Sequence, residues 1–171
     1  MEKLLYVPNP LLRQKAKKIE SVGSYELKIA KKMKEIMYSV PGVGLAANQI
    51  GILKQIITIS FTDQETKKEV NYNLFNPQII SYSQEKIFME EGCLSLPEQF
   101  AKIERSKKIL IKYLDDNNHS VMKEVDGVEA RILQHEIDHL SGKLFVDYLS
   151  SLKRNIMIKK VKKYLKNNID V

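Results

Sequence analysis

The chain has 171 residues, 43% of them hydrophobic, with one cysteine and a formal net charge of +7. That length fits one domain, the apolar fraction excludes global disorder, and a lone cysteine excludes an intramolecular disulfide and fits a reducing cytoplasm. The positive charge favours polyanionic partners but says nothing about fold.

The start, MEKLLYVPNPLLRQ, lacks an apolar stretch followed by a small-residue cleavage site, so no signal peptide is expected. No run approaches the ~20 apolar residues needed to span a bilayer. Pro8 and Pro10 bracket Asn9 and impose an extended or turned entry. Residues 24–40 predict a helix, with Leu27, Ala30, Met33, Ile36 and Met37 at helical spacing, ended by Pro41 and Gly42. QIITISF (55–61) is β-branched and predicts a strand, and EVNYNLF (69–75) alternates and predicts its hairpin partner. Further strands are expected at 78–82, 101–105 and 108–114, with a turn at DDNNHS (115–120).

A second helix is expected from Asp126. Asp126 and Glu129 have capping-box spacing, and Gly142 suits the position just past the helix end. A third helix spans 151–166. The order helix, strands, helix, helix has no regular βαβ alternation, so the fold class is α+β in one domain.

QHEIDHL (134–140) lies inside the second helix. His135 and His139 stand at i and i+4, so both imidazoles leave the same face and can share a metal, with Glu136 placed to act as a general base. A solvated helix surface is the alternative. These are two of only three histidines in the chain. A catalytic metal needs a third protein ligand and an open position. Cys93, in MEEGCLSLPE, is a suitable third ligand, with a buried core thiol as its plain alternative, and Asp147 remains possible in a protease-like scheme. PGVGLAANQIG (41–51) loosely fits a dinucleotide fingerprint, but a helix rather than a strand precedes it. It reads better as a tight backbone segment that lets a substrate approach, with Gln49 offering an amide. A simple helix-to-strand connection also fits.

GVGLAANQ, EGCLS and QHEIDH, in that order, resemble the three motifs of the peptide deformylase family without a mismatch. PNPLLRQKA and GKLFVDYL also resemble the family, so the likeness covers nearly the whole chain. It implies antiparallel sheets packed around a central metal-binding helix, with an N-terminal and a C-terminal helix. It further implies removal of the N-formyl group from the initiator methionine of nascent polypeptides in the cytoplasm. Carried over, Cys93, His135 and His139 would bind one divalent metal, usually Fe(II) in the family, with Zn(II) or Ni(II) able to take its place. Glu136 would be the general base and acid, and Gln49 with the backbone N–H of Leu94 would form the oxyanion site. The family also implies that Glu91 pairs with Arg105 and holds the cysteine segment against the metal helix.

For the methionine side chain the apolar candidates are Val43, Val128 and Ile132, with core packing as the alternative for each. Backbone near Val43 and Gly44 is expected to pair with an extended peptide. Asp138 faces away from the two histidines by helical spacing and is expected to be structural, and His119 to be a solvated turn residue. The chain departs from many bacterial members at Phe100, where they carry an arginine near the peptide entrance.

Lys153, Arg154, Lys159, Lys160, Lys162, Lys163 and Lys166 surround an expected packing stripe of Leu152, Ile156, Val161 and Leu165. The ordinary meaning is a packed helix with a solvated basic face. The resemblance implies docking on the ribosome near the exit tunnel, and a membrane surface is a further alternative. A monomer is expected. Two other functions stay open on the residues alone: a general metallopeptidase, which has no use for Cys93, and a basic RNA-binding module.

Overall fold

The structure, a computed structural model, describes residues 3–168. Its elements run α1 (Ser24–Tyr38), β1 (Gly44–Ala46), β2 (Ile56–Thr62), β3 (Glu69–Tyr82), β4 (Lys86–Cys93), β5 (Leu96–Ser106), β6 (Lys108–Leu114), β7 (Ser120–Asp126), α2 (Gly127–Leu140) and α3 (Ser151–Asn168). A short 3₁₀ turn, Ala47–Ile50, follows β1, and another, Phe145–Tyr148, precedes α3. The strands form a five-stranded sheet in the order β1-β2-β3-β6-β7 and a separate β4-β5 hairpin, all antiparallel. The α+β expectation is met.

β2 explains the layering. Its run IITI is buried on both faces: Ile57 and Ile59 join the cluster under α2, and Ile56 joins the cluster under α1. The α2 side packs Ala130, Leu133 and Leu140 on Ile57, Ile59, Leu74, Ile109 and Ile111. The α1 side packs Ile29, Ala30, Met33 and Met37 on Leu45, Ile56 and Phe75. Each fully buried large aliphatic contributes about 1.5–3 kcal/mol relative to exposure. A third cluster joins the β4-β5 hairpin to Phe145, Val146 and Val161. α2 is therefore enclosed by the sheet on one side and the hairpin on the other, as its buried run from Ala130 to Glu136 records.

Several local expectations are corrected. The strands expected at 69–75 and 78–82 are one strand, β3, with a register shift between Phe75 and Gln78. Asn76 causes it: its φ is +50°, and its side chain bonds both the N–H and the carbonyl of Ile19 at 2.8 Å. β4 escaped the alternation rule because its inward position 91 carries a glutamate. β1 and β7 are also additions, too short and too polar respectively to stand out. Asp126 does occupy the N-cap of α2, but its side chain makes no capping bond. Glu129 turns instead to Tyr72 Oη and Lys123 Nζ, each at 2.6 Å. Gly142 follows α2 with φ +74° and donates its N–H to His139 O at 2.9 Å, as its position suggested.

The packing stripe of α3 is also different. Val161 is buried, and Met157, Ile158 and Leu165 pack beside it. Leu152 and Ile156 point outward, 72% and 45% exposed.

Candidate metal centre and active site

Three parts of the fold meet at the site. β4 delivers Cys93 at its end, where a register shift after Gly92 turns the chain through Leu94 and Ser95 into β5. α2 delivers His135, Glu136 and His139. β1 and its 3₁₀ turn deliver Gly44 and Gln49.

The donor atoms of Cys93, His135 and His139 all lie within 4.8 Å of one another. Cys93 Sγ is 3.2 Å from His139 Nε2, which is 3.2 Å from His135 Nε2. Glu91 fixes the tautomer of His135. Burial opposes its charge, but the hydrogen bond from His135 and the pair with Arg105 hold its carboxyl at about 2. An ionised carboxylate only accepts, so His135 Nδ1 donates to Glu91 Oε2 at 2.9 Å. That leaves Nε2 facing Cys93 and His139. Burial opposes the charge of His135, but Cys93 and Glu91 hold the imidazole well above its ordinary range, so a metal would displace a proton from Nε2. Burial, assisted by His135, keeps His139 well below the ordinary imidazole range and neutral. Two imidazole nitrogens and one thiol sulfur converging on one point fit a divalent transition metal. Asp147 is not part of this convergence: it receives Arg13 Nη2 at 3.1 Å and the Leu144 N–H at 2.9 Å.

Glu136 is 4% exposed, and its Oε2 has no partner among the described residues. Burial, against the attraction of His135, raises its carboxyl to about 7. Gly44 lies directly against it, since a Cβ there would stand 2.6 Å from Glu136 Oε1.

Gln49 is equally fixed. Its Oε1 accepts the Ala46 N–H at 2.9 Å, which orients the amide. Its Nε2 therefore points to Ser95 Oγ at 3.1 Å and Cys93 Sγ at 3.6 Å. Leu94 stands at the adjoining turn and packs toward Gly42, where an added Cβ would come within 2.7 Å of its Cδ1.

A cavity of about 730 Å³ opens on this constellation. Cys93, His135, Glu136, Gln49 and Leu94 line it, and so do Val43, Gly44, Val128 and Ile132. Val43 and Val128 are 48% and 42% exposed, so they are cavity wall rather than core; Ile132 is buried and serves both. β1 is the edge strand of the five-stranded sheet, paired on one side with β2. Phe100 stands at the rim, its ring against Gly92, 60% exposed.

Glu91 and Arg105 form an ion pair, with Arg105 Nη2 at 2.9 Å from Glu91 Oε2. Arg105 also donates to Asp138 Oδ2 at 2.8 Å, and Tyr148 Oη donates to the same oxygen at 2.7 Å, so Asp138 braces Arg105. His119 is exposed beside Asp115, as expected. Sequence reasoning missed Arg131, whose guanidinium is buried on Glu91 at 2.6 Å. The available signal was its place one turn before His135, which puts a charge on the metal-facing side of the helix.

The polypeptide deformylase family model matches residues 1–155. A peptide deformylase of Pelagibacter ubique is 45% identical over 171 residues, all of this chain and 99% of that protein. One of Bartonella quintana is 43% identical over 163 residues, 95% of this chain and 92% of that one. The crystal structure of the Ehrlichia chaffeensis peptide deformylase superposes with a TM-score of 0.94 at 36% identity, covering 99% of both chains. A second Ehrlichia chaffeensis structure, in complex with actinonin, gives 0.90 at 38% identity, covering 96% of this chain and 97% of that one. The chain belongs to the peptide deformylase family.

Proposed function

We propose that this protein is a metal-dependent hydrolase that removes the N-formyl group from the initiator formyl-methionine of nascent polypeptides and releases formate. The observation that carries this reading is the convergence of Cys93, His135 and His139, with Cys93, His135 and Glu136 on the wall of one cavity. Cys93 separates it from a general metallopeptidase reading.

Cys93, His135 and His139 would hold a divalent metal, which would supply Lewis acidity and lower the pKa of water to about 7. The chain's own residues do the rest. Glu136, held near neutrality by burial, takes a proton from the attacking water and returns it to the leaving amine nitrogen. Gln49 Nε2 and the Leu94 N–H donate to the oxygen of the formyl carbonyl as it gains charge. The exchange balances: water adds across the amide bond, giving formate and a free amino terminus. The methionine side chain fits the apolar wall of Val43, Val128 and Ile132, and the peptide backbone pairs with the edge of β1 near Gly44.

Fe(II) is the proposed metal, on the family resemblance, because imidazole and thiolate accept Fe(II), Zn(II) and Ni(II) alike. The chain is proposed to act as a monomeric single-domain enzyme in the cytoplasm; no helix of the described residues is long and apolar enough to cross a membrane. α3 is proposed to contact the ribosome near the exit tunnel. Its exposed lysines, with Leu152 and Ile156 also outward, support a surface used for docking. Pelleting with ribosomes at low salt tests this, since a chain ending before Lys153 that pellets like the full chain ends the docking idea.

The decisive assay is formate release from formyl-Met-Ala by anaerobically purified protein with its metal content measured. Formate production that depends on the metal is expected. No release from a chain carrying one Fe(II) overturns the reading.

A further inference from the structure

We propose that Arg131 is a positioning residue for the metal centre, holding Glu91 in the orientation that aims His135 Nε2 at Cys93 and His139. The inference rests on the metal-site reading above and adds a residue to it.

Arg131 lies one helical turn before His135, so both side chains leave α2 on the face toward the β4-β5 hairpin. Its side chain is only 6% exposed. A guanidinium that buried needs partners to be tolerated, and both terminal nitrogens have them, while Nε has none among the described residues. It donates from Nη1 to Glu91 Oε1 at 2.6 Å and to Ile103 O at 2.9 Å, and from Nη2 to Ile87 O at 2.8 Å. Ile87 belongs to β4 and Ile103 to β5. One side chain thus ties both strands of the hairpin, and the carboxylate they carry, to the helix that bears the histidines.

The two arginines divide the work. Arg105 grips both oxygens of Glu91 but also faces Asp138. Arg131 adds a second donor to Oε1 alone and leaves Oε2 to Arg105 and His135 Nδ1. With Oε1 held from two directions, the carboxylate has no freedom to turn Oε2 away from the imidazole. Charge balances in the same way. Two guanidinium groups, Arg105 and Arg131, stand against two carboxylates, Glu91 and Asp138. Without Arg131 one negative charge is uncompensated beside the metal site, and two strand carbonyls lose their donor.

A residue that merely supports the fold changes the melting temperature and leaves metal binding alone. A positioning residue changes how the metal is held. The test loads metal-free wild type, Arg131→Lys, Arg131→Gln and Arg131→Met with Co(II). It reads affinity by chelator competition, the rate of Co(II) release, and the visible ligand-field and thiolate charge-transfer bands. Thermal melts of the metal-free proteins run in parallel. Lysine keeps the charge and glutamine keeps two donors, so a folded variant is retained even where methionine disrupts the core. The expected result is a loss of about 10–100-fold in Co(II) affinity for the folded variants, with faster release and shifted bands. Wild-type affinity, release and bands in Arg131→Lys overturn the inference. A wild type that takes up no Co(II) removes the metal site itself, and this role of Arg131 with it. A wild type that binds Co(II) beside an indifferent Arg131→Lys removes only the role of Arg131.

Discussion

Gly44 and Glu136 occupy one space: a Cβ on Gly44 would stand 2.6 Å from Glu136 Oε1 and 2.9 Å from Ile132 Cγ2. The carboxylate is therefore seated by the absence of a side chain on β1. Gly44→Ala is expected to displace Glu136 while leaving the sheet register intact. A shift of an ångström in a catalytic group costs on the order of 10²-fold in rate. Steady-state kinetics check this: kcat should fall by roughly that factor while circular dichroism stays unchanged, and an unaltered kcat would show that Glu136 has room to spare.

Glu136→Gln keeps the shape and removes the base. General acid–base catalysis is worth about 10²–10⁴-fold, so formate release should fall by that much. Glu136 is not among the converging donor atoms, so metal content should stay at the wild-type level. Parallel loss of metal would move Glu136 from proton transfer to metal binding.

The motifs made this site legible early because its chemistry is encoded in short, rigid pieces. His135 and His139 need only the pitch of a helix to meet, and Gln49 and Leu94 sit within a few residues of a turn. What the residues alone left open was tertiary. Spacing favours Cys93 but leaves Asp147 possible in a protease-like scheme; β4 brings the sulfur to the helix, and Arg13 takes up the Asp147 carboxylate. The spacing of Arg131 one turn before His135 is a weak signal, because a charged residue on a helix ordinarily faces water and only the hairpin packed against α2 turns it into a buried partner. β4 was missed for a related reason: its inward Glu91 breaks the apolar alternation that marks a strand, and the functional site is what imposes that break. On α3 the apolar residues exceeded what one contact stripe uses, so spacing could not say that Val161 packs and Leu152 does not.

Gln49 has two roles, donor from Nε2 and acceptor for the Ala46 N–H at Oε1, and one substitution removes both. Gln49→Leu removes the Nε2 donor, and loss of one oxyanion donor typically costs 10²–10³-fold in kcat. It also strands the buried Ala46 N–H, which costs about 1–3 kcal/mol of stability. Rate and chemical denaturation measured on the same preparation should show both losses. A stability loss with unchanged kcat would reduce Gln49 to a brace for β1.

The Glu91 network predicts an acid limit. Its carboxyl sits at about 2 in the folded chain against an ordinary 4.5. The folded value is the depressed one, so the stabilisation is fully present above about pH 4.5 and is lost as pH falls from there toward about 2. The shift corresponds to a few kcal/mol at most. Urea unfolding of metal-free protein between pH 7 and pH 3 should show wild type losing stability in that window. Glu91→Gln should start less stable and lose less. Parallel curves for the two proteins would show that Glu91 is not the group being titrated.

Oxygen provides the sharpest discrimination of the metal. Fe(II) next to a thiolate is a source of oxidising species formed where Cys93 Sγ is the nearest soft atom, and a cysteine sulfur so exposed climbs from sulfenic toward irreversible sulfinic and sulfonic acid. Cys93 is the chain's single cysteine, so no second thiol is present to trap the sulfenic stage as an intramolecular disulfide. Loss of activity on aeration should therefore proceed in two steps, an early phase reversed by reductant and fresh Fe(II), and a later phase that is not. Mass spectrometry of the peptide carrying Cys93 should find oxygen adducts rising with the second phase. The same protein loaded with Zn(II) or Ni(II), which do not cycle under these conditions, should keep both its activity and an unmodified Cys93. Enzyme purified in air with full activity and an intact thiol would point away from Fe(II) as the metal this site holds in the cell.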